Sequence, residues 1–156
     1  MIEIDIEERR NRAVAYFMEG YNCAQSVFIT YNDFVGVDIE LAKKISAPLG
    51  AGMGRMREVC GACSSMFLIA GVKYPSVNPN NDEAKTKIYE TVQLLANQFK
   101  QEFGTIICAE LLDIERIPQA PKPSDRNAKY YAERPCARFV AEAAEIIGRE
   151  IMSKTT

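Results

Sequence analysis

Apolar side chains recur every three to four residues along most of the chain, a spacing typical of helices that bury one face. The clearest stripe runs from Asp82 to Phe103, between a polar loop and Gly104. Its members are Ala84, Ile88, Val92, Leu95, Phe99 and Phe103. This stripe predicts one long helix, which Gly104 ends.

Shorter stretches with the same periodicity predict the remaining helices. They cover Ile6–Met18, Cys23–Asn32, Ile39–Ile45, Met66–Val72, a short segment around Cys108, and Pro135–Met152. No segment of useful length alternates with the period of a strand. We therefore predict an all-α protein, a single compact domain over residues 1–156 with five to seven helices and the Ala84–Phe103 helix at its centre.

One proline-rich stretch, Pro118–Ser124, interrupts the helical pattern and predicts a stiff, extended connector. The chain that follows, residues 125–156, is too short for an independent core. The connector is therefore expected to join parts of one domain.

Composition and charge exclude several classes of partner. The 156 residues are 47% hydrophobic and carry 19 basic against 21 acidic side chains, which gives no electrostatic case for nucleic acid or an anionic membrane. The longest uncharged stretch, Val59–Val72, is too short to cross a bilayer. Met1–Arg12 lacks the apolar region of a signal peptide, so we expect a cytoplasmic protein with no membrane insertion.

The chain has 5 Cys and no His. The absence of His excludes Ser-His-Asp and Cys-His catalysis and any His-ligated metal or haem. In the cytosol thiols stay reduced unless they are catalytic, redox-sensing or metal-bound. Any chemistry here is therefore expected to use sulfur.

Four cysteines fall in the first turn of a predicted helix. They are Cys23, Cys60, Cys108 and Cys136. Free backbone N–H groups and the helix dipole lower thiol pKa values at such positions. If these helix ends converge, they form an electropositive pocket suited to thiolate nucleophiles, metal or cluster ligands, or a bound anion. The alternative is that small Cys side chains simply pack well near crowded helix ends.

Cys60 and Cys63 form a C-x-x-C pair, whose spacing is compatible with a disulfide between an exposed attacking thiol and a resolving thiol. No βαβ pattern surrounds it, which argues against a thioredoxin fold. A second interpretation uses Cys23, Cys60, Cys108 and Cys136 as ligands of zinc or an iron–sulfur cluster, although paired C-x-x-C units are missing. The sequence establishes no cofactor.

The segment Gly50–Gly54 fits neither dinucleotide-binding nor P-loop spacing. We interpret it as a compact turn that lets backbone approach a partner helix or the sulfur site, or simply as a turn between two helices. Other side chains near the cysteines could stabilise a thiolate, bind an anion or donate a proton, although each is more often exposed or packed. They are Arg55, Arg57, Arg134, Arg138, Tyr21, Tyr74, Tyr130 and Tyr131.

The ordered motifs Gly20–Val27, Gly50–Gly54, Cys60-Gly61-Ala62, Cys108 with Leu111-Leu112, and Cys136 before Phe139-Val140 resemble the C_GCAxxG_C_C family of redox-active proteins. The resemblance covers about Ala13–Ile147. It implies that Cys23, Cys60, Cys108 and Cys136 are the family cysteines. Ser65 stands where the motif has its last glycine, and Cys63 occupies a variable position, so the redox partner of Cys60 is either Cys63 or another family cysteine.

The leading hypothesis is a cytoplasmic thiol/disulfide redox protein. Cys60 is the attacking thiolate, Cys63 or Cys23 resolves the mixed disulfide, and Cys108 and Cys136 complete the pocket. Its partner is expected to be a redox protein or a small thiol. The alternatives are a Cys-ligated metal or iron–sulfur protein and a non-catalytic helical interaction module. An apolar helical surface also makes a homodimer plausible.

Overall fold

The computed structural model describes residues 2–154, and its secondary structure is helical, which confirms the all-α prediction. Met1, Thr155 and Thr156, which the predicted domain 1–156 includes, lie outside the described residues. Within these residues, β-type pairing is confined to one isolated antiparallel bridge, between Val59 and Ile107. The single-domain organisation stays a prediction.

The helices follow one another with short connections. In chain order they are α1 (Ile6–Glu19), α2 (Cys23–Thr30), α3 (Asn32–Val35), α4 (Ile39–Ser46), α5 (Gly50–Met53), α6 (Gly61–Lys73), α7 (Asp82–Phe103), α8 (Cys108–Leu111), α9 (Ala128–Glu133) and α10 (Cys136–Met152). A 3₁₀ turn, Ala47–Leu49, precedes α5. Over residues 2–154, six helices have at least eight residues, in line with the predicted five to seven, and the rest are single turns.

Local signals explain most helix limits. Asp5, Asn22 and Asp38 each accept a hydrogen bond from a backbone N–H in the first turn of α1, α2 and α4. Asn22 also forms a capping box with Gln25. Gly20 ends α1 with a φ of 113°, a conformation that favours glycine. The sequence therefore sets where α2 begins, and with it the position of Cys23.

The core lies between α2, α6 and α10, which contact one another, while α1 packs on α10 and α4 packs on α2. Its largest fully buried side chains include Phe17, Val27, Tyr31, Met66, Ile69, Leu95, Phe99, Val140 and Ile147. The long helix α7 packs against α6 and α10. The prediction that it is central is wrong, because only Thr91, Leu95, Ala96 and Phe99 of α7 are buried.

A charged pair anchors α1 to the start of α3. The Arg9 guanidinium is 3% exposed and donates to both carboxylate oxygens of Asp33, at 2.9 and 2.7 Å, and to the Thr30 carbonyl. It also stacks on the ring of Tyr31, whose hydroxyl donates to the Ala144 carbonyl at 2.6 Å. These contacts join α1, α3 and α10 and compensate the buried charge.

Between residues 2 and 154, no helix combines the length and the apolar character that crossing a membrane would require. Exposed apolar side chains occur on α4, α6 and α7, among them Leu41, Ile45, Leu68, Val72 and Leu94. The homodimer remains a prediction.

Candidate functional site

Four of the cysteines share a cavity of about 560 Å³: Cys23, Cys60, Cys108 and Cys136 all line it. All five cysteines are free thiols. Cys63 is fully buried in α6 and is not part of the lining. Cys60 and Cys108 are buried, whereas Cys23 and Cys136 are partly exposed. Cys23 and Cys136 are therefore the more exposed residues of the four.

Each of the four lies where a helix begins, as the sequence predicts. Cys23, Cys108 and Cys136 are the first residues of α2, α8 and α10, and Cys60 immediately precedes α6. The helix α8 has 4 residues and is too short to supply a substantial dipole. Cys108 is therefore held and polarised by other contacts.

A short antiparallel pairing brings Cys60 and Cys108 into the same cavity. The N–H of Cys60 donates to the Ile106 carbonyl at 2.8 Å, and the N–H of Cys108 donates to the Glu58 carbonyl at 2.6 Å. The N–H of Ala109 completes the pairing at the Arg57 carbonyl. This backbone ladder fixes two sulfur-bearing segments that lie far apart in the sequence.

The glycine-rich segment forms a left-handed turn against this pairing. Ala51, Gly52, Met53, Gly54 and Arg55 all have positive φ, between 56° and 69°. For L-residues other than glycine this conformation costs roughly 1–2 kcal/mol each. Hydrogen bonds from Gly54 N to Gly50 O and from Glu58 N to Gly52 O, both 2.9 Å, help to hold it.

Backbone approaches the cysteines closely in this turn and at the start of α6, in line with the first of the two interpretations of the glycine-rich segment. A Cβ added to Gly52 would lie 2.6 Å from the Cβ of Cys108. A Cβ added to Gly61 would lie 2.7 Å from the Cys23 sulfur and 2.8 Å from the Leu49 carbonyl. These distances are shorter than a side chain allows, so glycine at both positions is required by the close approach.

The Cys23 sulfur lies against Gly61, the residue that follows Cys60, and the two thiols influence each other's ionisation. This interaction, followed by burial, raises the pKa of Cys23 well above its ordinary value, although N–H groups of Ala51 and Gly61 favour its thiolate. For Cys60 the interaction with Cys23 lowers the pKa, but Cys63 and burial together raise it well above its ordinary value. The Ala62 N–H at the start of α6 lowers the Cys60 pKa, as predicted, but Cys63 and burial outweigh it, so the prediction of a lowered pKa for this thiol is wrong.

The other two thiols are also favoured in the protonated state. Burial raises the pKa of Cys108, against the effect of the Arg57 guanidinium, whose Nη1 lies 3.5 Å from the Cys108 sulfur. Burial, with contributions from Cys23 and Cys108, raises the pKa of Cys136 to about 12, while Arg134 and Arg126 oppose the shift. At neutral pH the reduced cavity therefore contains neutral thiols beside cationic side chains.

Among the described residues, the charged side chains that line this cavity all belong to arginine. Arg55, Arg57, Arg126 and Arg134 line it, and its lining residues include no carboxylate among those the structure describes. Arg57 is 2% exposed and donates to the Gln119 side-chain oxygen at 3.0 and 2.7 Å. Arg55 donates to the same oxygen at 3.2 Å and to the Ala120 carbonyl. The proline-rich connector thus supplies the acceptors for two buried or partly buried guanidinium groups.

Some of the candidate side chains lie in this cavity and others do not. Arg55, Arg57, Arg134 and Tyr130 line it, whereas Tyr21, Tyr74, Tyr131 and Arg138 are outside the lining. Arg138 stacks on Phe103 instead, and the Tyr74 hydroxyl donates to Glu150. Sequence reasoning missed Arg126, which contacts the rings of Phe17 and Tyr130. In the sequence, the only indication of a role for Arg126 was its position just after the proline-rich connector.

The metal-ligand interpretation needs several donors close to one point. Among residues 2–154, no group of three or more Cys, Asp or Glu side chains lies in an arrangement that could hold a metal ion.

The two departures from the family motif have separate structural roles. Ser65 is fully buried in α6, and its hydroxyl donates to the Ala24 carbonyl at 2.6 Å, so the serine joins α6 to α2. Cys63 lies inside α6, outside the cavity lining, and raises the pKa of Cys60. Both Cys23 and Cys63 stay candidates for the disulfide partner of Cys60.

Comparison with curated proteins and with solved structures gave no match. A protein-family model described as "Putative redox-active protein (C_GCAxxG_C_C)" matches residues 21–150, most of the chain and all five cysteines. The order of the cysteines and the Cys60-Gly61-Ala62 motif agree with this match. The chain belongs to the C_GCAxxG_C_C family.

Proposed function

We propose that this protein is a cytoplasmic thiol/disulfide redox protein whose reactive pair is Cys23 and Cys60. The observation that carries the proposal is that Cys23 and Cys60 line the same cavity, with the Cys23 sulfur lying against Gly61, the residue that follows Cys60. Two thiols brought together in this way can form a disulfide on two-electron oxidation. Membership of a family described as redox-active supports the same chemistry.

Within this pair, Cys23 is the attacking thiol. It is the more exposed residue of the pair, since Cys60 is 5% exposed, and the N–H groups of Ala51 and Gly61 partly offset the effects of Cys60 and of burial, which raise its pKa. The Cys23 thiolate attacks one sulfur of a disulfide substrate, forms a mixed disulfide and releases one thiolate. Cys60 then loses its proton and attacks the Cys23 sulfur, which forms the internal disulfide and releases the second thiolate.

In this reaction the protein is oxidised by two electrons and the disulfide substrate is reduced to two thiols, which take up the two protons. The reverse reaction, with a partner redox protein or a small thiol as reductant, restores Cys23 and Cys60. Cys108 and Cys136 complete the sulfur lining. The roles differ from the expectation that Cys60 attacks first, since Cys60 is the more buried of the pair.

The experiment compares the disulfide products of the reduced protein and two variants. After treatment with stoichiometric bis(hydroxyethyl) disulfide, peptide mapping by mass spectrometry is expected to find a Cys23–Cys60 disulfide. The Cys60→Ser variant is expected to retain the mixed disulfide on Cys23. The matched control Cys63→Ser, altered three positions further along and inside α6, is expected to form the Cys23–Cys60 disulfide normally.

Two results would contradict the proposal. A Cys60–Cys63 disulfide as the product in the unaltered protein would assign resolution to the C-x-x-C pair. Five thiols that stay unmodified in the native protein would remove the redox function and leave packing as the role of the cysteines.

A further inference from the structure

The cavity has an unbalanced charge. Its lining contains the arginine cluster, defined as Arg55, Arg57, Arg126 and Arg134, and no Asp or Glu of the described chain. Across residues 2–154, no salt bridge involves any of these four side chains. Four positive charges around one cavity create a strong field for anions, because the low-dielectric walls limit screening.

Arg57 carries the heaviest desolvation cost in the cluster. Its guanidinium is 2% exposed, and its acceptors are the neutral Gln119 side-chain oxygen and the Cys108 sulfur. A buried charge is normally paired with an opposite charge. A Cys108 thiolate is a weak candidate for that role, because burial raises the Cys108 pKa. The missing negative charge is therefore expected from a molecule that enters the cavity.

Other members of the cluster retain donors for such a molecule. Arg134 donates no side-chain hydrogen bond within the described chain and stacks on Tyr130, with 5.3 Å from guanidinium carbon to ring centroid. Arg126 donates to the carbonyls of Phe17 and Tyr21 through its two terminal nitrogens, which leaves its Nε–H. The charges of Arg57 and Arg134 contribute, after burial, to lowering the pKa of Arg55. The guanidinium groups are thus close enough to repel one another.

We propose that this cavity binds a small disulfide that carries carboxylate groups, with the arginine cluster holding the carboxylates beside Cys23. The inference rests on the proposed function, which supplies the thiol chemistry. The arginine cluster supplies the charge selection, since guanidinium binds carboxylate through paired hydrogen bonds. A volume of about 560 Å³ and the apolar lining residues Leu111, Leu112 and Phe139 suit a small organic molecule.

Binding of the anion also favours the reaction. The substrate disulfide accepts two electrons from Cys23 and Cys60 and leaves as two carboxylate-bearing thiolates, which take up the protons that the two cysteines release. Each departing thiolate is an anion that forms near the arginine cluster, so the same charges stabilise it. The internal disulfide that remains is neutral, which leaves the cavity positively charged for exchange of products.

Three disulfides of similar size test the charge selection. Dithiodiacetate is a dianion, bis(hydroxyethyl) disulfide is neutral and cystamine is a dication at neutral pH. The rate at which each oxidises Cys23 and Cys60 is measured by thiol titration of the reduced protein at low ionic strength. We expect the dianion to react at least roughly tenfold faster than the dication, with the neutral compound between them, and added salt to reduce the difference.

Variants separate this site from the general charge of the protein. Arg134→Gln and Arg126→Gln are expected to lower the ratio of the dianion's rate to the neutral disulfide's rate several-fold, because the neutral disulfide gains only from stabilisation of the departing thiolates. The matched control is Arg149→Gln, since Arg149 lies outside the cavity lining with a side chain that is 67% exposed. Equal rates for the three disulfides, or an equal effect of Arg149→Gln, would overturn the inference.

Binding without chemistry makes the two proposals separately testable. Adipate has the shape of dithiodiacetate with two methylene groups in place of the sulfurs, and hexamethylenediamine is the corresponding analogue of cystamine. Calorimetry is expected to show that adipate binds and that Arg134→Gln weakens it, whereas hexamethylenediamine does not bind. Absence of adipate binding would overturn the anion site. Adipate binding without oxidation by any of the three disulfides would instead remove the proposed redox function.

Discussion

Arg9 and Arg57 are almost equally buried, at 3% and 2% exposed, but their charges are compensated in different ways. Arg9 makes two hydrogen bonds to the Asp33 carboxylate and a third to the Thr30 carbonyl. Arg57 contacts the neutral Gln119 oxygen and the Cys108 sulfur. The region around Arg9 is electrostatically complete, whereas the region around Arg57 has a charge without its counterpart.

Burial alone does not show which role a charged side chain has. A buried guanidinium with its carboxylate in place joins helices, and removing the carboxylate leaves an uncompensated charge. A buried guanidinium that faces a cavity and neutral acceptors is instead prepared for a charge from outside.

Removing the Asp33 carboxylate is expected to have the largest effect. Asp33→Ala leaves the Arg9 charge buried, and we expect about 2–4 kcal/mol lower free energy of unfolding, since Asp33 itself is partly exposed. Urea denaturation followed by circular dichroism measures it. The control Glu8→Ala removes a weaker and more exposed contact, 3.8 Å from Arg9, and is expected to change stability by less than about 1 kcal/mol. Equal losses of stability in the two variants would show that the Asp33 carboxylate is not what compensates the Arg9 charge.

Gly52→Ala tests how closely the backbone must approach the sulfur site. The new Cβ would lie 2.6 Å from the Cβ of Cys108 at a φ of 67°, and we expect a loss of about 2–3 kcal/mol together with weaker adipate binding. Gly54→Ala, at a φ of 61° with its nearest contact at 3.7 Å, is the matched control and is expected to lose about 1 kcal/mol. Urea denaturation and calorimetry compare them. Identical losses would show that the turn conformation, and not the approach to Cys108, requires glycine.

The two regions are expected to lose stability at opposite ends of the pH scale. The hydrogen bond to Arg9 lowers the pKa of Asp33 in the folded protein. The contribution of this pair to the free energy of unfolding is therefore present above the pKa of Asp33 in the unfolded chain, and it is lost as pH falls through the pKa in the folded protein. The Cys136 pKa is raised by burial to about 12, so stability is lost as pH rises above the ordinary thiol range.

This alkaline loss should amount to on the order of 1 kcal/mol near pH 10 for Cys136, and Cys136→Ser is expected to remove it while leaving the acid side unchanged. Urea denaturation of the reduced protein across the pH range measures the loss of stability at both the acid and the alkaline end. An equal alkaline loss in Cys136→Ser and in the unaltered protein would contradict the assignment to Cys136.

Arg57→Met is expected to have the smallest effect on stability. The lost hydrogen bonds to Gln119 and the removed cost of a buried charge oppose each other, so we expect a change of less than about 1 kcal/mol in a buffer of low ionic strength. Adipate is expected to raise the unfolding temperature of the unaltered protein and not of the variant. A loss as large as that of Asp33→Ala would show that Arg57 is already compensated within the chain.

Much of the helical framework could be predicted from the sequence. The segment Asp82–Phe103 was predictable because it carries a long amphipathic stripe and a terminal glycine. The start of α2 was predictable because Asn22 is a strong cap. The helix α9 was not predicted, because six residues next to a proline-rich connector carry too little periodicity.

The candidate site was predictable in its cysteines and not in its electrostatics. The glycine-rich segment before Cys60 indicates that a helix begins there, but the Cys60 pKa depends on Cys63 and on burial, which tertiary contacts set. Arg126 carried no periodic signal, because its role depends on how the connector folds over α1. The left-handed turn could not be foreseen, because alanine, methionine and arginine disfavour that conformation and tertiary contacts impose it.

That turn has a consequence for chirality. Ala51, Met53 and Arg55 hold backbone angles that are natural for the mirror-image forms of these amino acids. In a chemically synthesised chain, D-alanine at position 51 would adopt its preferred backbone conformation and keep its methyl group. Glycine at this position would remove the strain without favouring this conformation over others. The wall of the sulfur cavity is thus a place where the handedness of the polypeptide opposes the fold, and a single inverted stereocentre would relieve part of that opposition.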